Sequence, residues 1–104
     1  MEIIITGRHA GLGGGTWYIG RAGTYHFQAL VFAEPSQYGI GGGQVSKLYL
    51  LDRPRKKGGT EVAVFEREWE LEPSEDVRPI LEFLVQELSR SEQEATPDEG
   101  MKDQ

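Results

Sequence analysis

Apolar and polar residues alternate along the chain as far as Leu71 and then change to a helical period, which predicts a set of strands followed by one helix. The alternation is clearest at 25–32 (YHFQALVF). Tyr25, Phe27, Ala29 and Val31 share one face there, and His26, Gln28, Leu30 and Phe32 share the other. Residues 2–6 (EIIIT) and 16–19 (TWYI) are short β-branched or aromatic runs stopped by Gly7 and Gly20, so both are predicted strands. The intervening GRHAGLGGG has no apolar period and is predicted to be a loop. A turn over Gly20, Arg21, Ala22 and Gly23 makes TWYI and the 25–32 run an antiparallel hairpin. A fourth strand at 45–52 (VSKLYLLD) sets Leu48 and Leu50 on one face and Val45, Tyr49 and Leu51 on the other, from which Lys47 must reach solvent. A fifth strand covers 60–68 (TEVAVFERE), with Trp69 and Leu71 extending its pattern.

After Pro73 the residues Val77, Ile80, Leu81, Leu84 and Leu88 form an apolar stripe down a helix of roughly four turns. Pro79 fits only within the first turn, where its missing N–H is not needed, so Asp76 is the expected N-cap and Ser74 the alternative. The sheet has one apolar face to cover and this helix is the only element able to cover it. The predicted fold is α+β, an antiparallel β-meander of about five strands with one C-terminal amphipathic helix packed on one face. Residues 1–90 are the expected single domain, and 91–104 (SEQEATPDEGMKDQ) have the composition of a disordered acidic tail.

Charge and composition narrow the function. Seventeen acidic against 11 basic residues give a net charge of −6, which disfavours coating of DNA. The chain has no cysteine, which removes disulfides, thiolate metal sites and a Cys nucleophile and suits a reducing cytoplasm. The run after Met1 is neither the basic region nor the long apolar core of a signal peptide, and no run approaches membrane-spanning length. A cytoplasmic protein without a membrane partner is expected.

The richest candidate site is the loop between the third and fourth strands, where GIGGG (39–43) follows Tyr38. So many glycines imply positive φ or close backbone approach. GLGGG (11–15) is its counterpart, but neither stands between a strand and a helix N-terminus, as a phosphate cradle requires. Tyr38, Gly39, Ile40, Gly41 and Gly42, with Tyr49, are therefore the expected partner-binding residues. Arg53, Arg55, Lys56 and Lys57 form the one basic cluster, either a solvated hairpin tip or an anion-binding site. His9 and His26 lack metal-ligand or triad spacing, and only Glu66 or Glu68 could serve His26 as a convergent carboxylate. No catalytic residue, metal ligand or cofactor is assigned. Trp17, Tyr18, Tyr38, Tyr49 and Trp69 exceed what one covered face can bury, which points to an interface on the second face or in the loops.

The run from Trp17 onward resembles a small, uncharacterised protein family of bacteria and phages. The resemblance is carried by Phe27-Gln28-Ala29, the loop Ser36 to Gly42, Ser46-Lys47-Leu48 and the acidic-aromatic stretch Phe65 to Trp69. Gln44 departs from it, a basic residue being expected there, as does the glycine-rich N-terminal extension. The resemblance implies no activity, but a phage setting favours small accessory proteins that block host machinery. The expectation is a non-enzymatic module that binds a protein partner or a second copy of itself. Its rival is capture of a nucleotide or phosphate by the glycine-rich loops and the 53–57 turn.

Overall fold

The computed structural model describes residues 1–95. One antiparallel sheet contains six strands in chain order: β1 (Ile3–Ala10), β2 (Thr16–Ala22), β3 (Tyr25–Val31), β4 (Val45–Leu51), β5 (Glu61–Glu66) and β6 (Trp69–Leu71). A single helix, α1 (Arg78–Ala95), packs against β2, β3 and β4. The fold is the expected α+β meander, with one more strand than the alternation counted.

The additional strand comes from a reversal at Arg67. Its φ of 70° lies in the left-handed region, and Glu66 N–H donates to the Glu68 carbonyl at 2.9 Å, so Trp69 returns opposite Phe65. The two rings meet edge to face at 5.1 Å. An apolar pattern that continues through so short a turn reads in sequence as one strand.

Two other boundaries move. Gly7–Ala10 belong to β1, pairing with Ile19, Tyr18, Trp17 and Thr16 beyond a bulge at Thr6, because ladder bonds need backbone and not apolar side chains. Gly20 lies inside β2, where a Cβ would stand 2.0 Å from the Ile4 carbonyl oxygen, so it serves close strand approach and ends nothing. The turn sits instead at Gly23 and Thr24, between the paired Ala22 and Tyr25, with Gly23 at φ 62° in the first turn position that type II′ hairpins give to glycine.

The core lies between the helix and one sheet face. Tyr18, Phe27, Ala29, Val31, Leu48, Leu50, Ala63 and Phe65 are buried together with Val77, Leu81, Leu84 and Leu88 of the helix stripe. Val45 joins them, contrary to the expected alternation. A bulge at Ser46, between the pairs Leu30–Lys47 and Val31–Val45, turns it to the Val31 side.

The helix begins in two steps. Val77 and Arg78 N–H groups both donate to the Ser74 carbonyl, which opens a first turn at the alternative cap residue. Pro79 has no N–H to give Glu75, and the regular ladder resumes with Leu81 N–H donating to Val77 at 3.0 Å. No side-chain cap from Asp76 forms among the described residues. At the other end α1 runs through 91–95, past the expected boundary at 90, because buried Glu92 accepts hydrogen bonds from Tyr18 Oη at 2.7 Å and Thr16 Oγ1 at 3.2 Å. The remainder of the expected tail, 96–104, lies outside the described residues. Among the described residues no helix is long and apolar enough to cross a membrane.

Candidate functional site

Because β4 runs from the glycine-rich loop to the basic turn, these two features emerge at opposite ends of the sheet, about 20 Å apart for a strand of this length. One small ligand cannot touch both. The glycine loops partly close on themselves: Gly11 N–H donates to Gly15, Gly14 to Gly11, Gly39 to Ser36, Gly42 to Gly39 and Gly43 to Ile40.

At the glycine end the 11–15 loop and the stretch Ala33 to Tyr38 frame an open cavity of about 930 Å³, which residues 39–43 do not line. Trp17, Leu30 and Phe32 form its apolar wall, Lys47 and Arg67 line it as cations, and Glu34 and Glu92 line it as carboxylates. Leu12, at the tip of the 11–15 loop, is fully exposed, and Tyr38 is half exposed on the other rim. The Arg67 guanidinium lies over the Tyr38 ring at 5.3 Å, a cation–π contact that holds the rim residue in place.

The loop residues expected to bind a partner divide by position. Tyr38 borders the cavity, with its N–H on Ser36 Oγ at 3.1 Å. Gly41 and Gly42 are exposed at φ 62° and 72°, in a 3-10 turn over Ile40–Gly42. Gly39 has an ordinary φ of −83°, and its requirement is space: a Cβ would stand 2.0 Å from the Gly43 carbonyl oxygen. Ile40 packs on the core and is no exposed anchor. Tyr49 lies on the sheet face away from α1, stacked with Trp17 at 6.5 Å, and its hydroxyl donates to Glu66. Burial, then the Glu66 carboxylate, pushes the Tyr49 phenol up to about 12.

Gln44, the departure from the resembled pattern, is a buried amide that joins loop to helix. Its Nε2 donates to the Phe32 and Ala33 carbonyls at 3.1 and 3.2 Å, and its Oε1 accepts from Gln93 of α1 at 3.1 Å. The basic residue expected there could not accept that bond.

In the basic turn, Arg55 pairs with Glu61 at 3.4 Å and Arg53 with Asp52 at 3.9 Å, while Asp52 Oδ1 accepts from Thr60 N–H at 2.8 Å. Lys56 and Lys57 are exposed. The sheet register separates His26, opposite Leu51, from Glu66, opposite Lys47, so the convergent pair that acid–base chemistry at His26 would need does not form between them. Glu68 is in the exposed 66–68 turn at the same end as Glu66.

Leu12, Lys47 and Arg67 were not legible as site residues. Leu12 stands alone among glycines, and Arg67 acquires its role through a reversal that its sequence does not mark. Lys47 carried a signal, a lysine interrupting an apolar strand. A family model described as a domain of unknown function (DUF7678) matches residues 16–89, from the first residue of β2 into α1. No curated protein and no solved structure matches the chain.

Proposed function

The chain belongs to that family of unknown function, and from its site we propose that it is a non-enzymatic, cytoplasmic binding module whose glycine-loop cavity receives an apolar side chain of a protein partner. The observation that carries this reading is the aromatic and aliphatic wall of Trp17, Leu30 and Phe32 in an open cavity of about 930 Å³, rimmed by exposed Leu12 and Tyr38. Such a depression suits a buried anchor surrounded by a polar rim. The finer reading, an accessory protein that occupies a site on host machinery, rests on the resemblance to bacterial and phage proteins. A second copy of the chain is the alternative occupant, and sedimentation distinguishes the two.

The test is affinity capture from a bacterial extract with the native protein and with Leu12→Ser, Tyr38→Ala and Lys57→Gln. A partner retained by the native chain and by Lys57→Gln should be lost or weakened by about 1 kcal/mol or more in each of the first two. Equal retention by all four proteins would remove the cavity from the interface.

A further inference from the structure

A second cavity, of about 520 Å³, lies at the other end of the sheet, between the basic turn and the face away from α1. Arg21 and His26, directly paired across β2 and β3, line it together with Arg55 and Lys56. Among the described residues its wall contains no carboxylate, although the chain has 17 acidic residues and a net charge of −6. Glu61 engages Arg55 at 3.4 Å from outside that wall, and Arg21 and Lys56 have no ion-pair partner among the described residues. Arg21, Arg55 and Lys56 bring three formal positive charges to one cavity against a single carboxylate, Glu61, and that excess favours an anion there. The rest of the wall is apolar or neutral, with Ile19, Leu51 and Pro54 facing the space and Gln28 and Thr6 at its border.

We propose that this cavity binds a phosphorylated small molecule, with its phosphoryl oxygens on Arg21 and Lys56 and its apolar or planar body against Ile19 and Leu51. Phosphate suits the guanidinium fork of Arg21 and the point charge of Lys56, since bidentate arginine bonds fix orientation and the ammonium adds attraction from any direction, while Arg55, both of whose terminal nitrogens lie 3.4 Å from Glu61 Oε2, adds a longer-range charge. The volume lies within the range of small-molecule sites and exceeds what a bare phosphate fills, which is the reason for assigning a body as well as an anion. Gln28 and Thr6 offer neutral hydrogen-bonding groups to that body. The site is independent of the protein-binding cavity, and neither reading needs the other.

The experiment titrates the full chain with adenosine monophosphate and, separately, with inorganic phosphate, following the His26 ring protons by NMR. Adenosine monophosphate should bind and move those signals, with affinity reduced about tenfold or more by Arg21→Gln and by Lys56→Gln, as expected for loss of one charge-assisted bond. Arg53→Gln and Lys57→Gln, which do not line the cavity, should bind as the native chain does. The proposal is overturned if all four variants weaken binding equally, since that is general charge screening, or if no shift occurs with either ligand. Equal affinity for phosphate and the monophosphate would remove the body and with it the small molecule proposed. An oligonucleotide that binds far more tightly than the monophosphate, with the same dependence on Arg21 and Lys56, would replace it with a nucleic-acid strand. Thermal unfolding of each variant separates lost binding from lost structure.

Discussion

At the scale of single residues, the Tyr18–Glu92 hydrogen bond ties the end of the helix to the second strand. Burial, then the Glu92 carboxylate, pushes the Tyr18 phenol up to about 12 from its ordinary 10.0. The native state therefore holds a proton that the unfolded chain releases, and stability present below pH 10 is lost as pH rises from 10 to 12. Tyr49 adds to the same loss. Tyr18→Phe should lower stability near neutral pH by roughly 1–3 kcal/mol, because a buried carboxylate loses a donor, and should make the alkaline decline shallower. Chemical denaturation at pH 7, 10 and 12 measures both effects, and an unchanged alkaline slope would show that Tyr18 does not titrate there. Arg67 makes the opposite case. A left-handed arginine costs about 1–2 kcal/mol, more than the roughly 0.5–1 kcal/mol of an exposed cation–π contact. Arg67→Gly should therefore leave the thermal midpoint unchanged or raise it while weakening partner binding at the cavity. A clear loss of stability would mean that the guanidinium holds the 66–68 turn.

Among the elements, α1 carries most of the cover for the sheet. Leu84 is completely buried in its stripe, so Leu84→Ala should cost roughly 2–5 kcal/mol in denaturant unfolding. A near-zero cost would detach the helix from the core. Ending the chain after Arg90 should also lower the thermal midpoint, since it removes Glu92 and Gln93 and strands Tyr18, Thr16 and Gln44 without those partners. The helix stripe and the faces of β3 were legible because side-chain burial alone fixes them: Phe27, Ala29 and Val31 face inward as alternation requires. What sequence did not reveal depends on a partner elsewhere in the chain. Glu92 continues the helix because Tyr18 receives it, Val45 faces inward because a bulge at Ser46 turns it, and Arg8 and His9 form strand because Tyr18 and Trp17 lie opposite. The cavities were illegible for the same reason. Their walls unite residues as distant in sequence as Thr6 and Lys56, or Gly11 and Glu92, that no local pattern connects.

For the whole molecule, the meander order makes every strand a neighbour of the next in sequence, while the Tyr18–Glu92 bond closes a separation of 74 residues. These two facts set an order of assembly. Neighbouring hairpins close short loops and can form early, whereas helix docking must wait for a long one. During synthesis the delay is enforced as well, because α1 follows all six strands and emerges from the ribosome after them. A sheet with Phe27, Leu48, Leu50 and Phe65 uncovered would then stand exposed for as long as the helix takes to be made. Chains ended between Leu71 and Arg78, which keep all six strands and lack α1, should consequently be bound by hydrophobic-binding chaperones more strongly than the full chain.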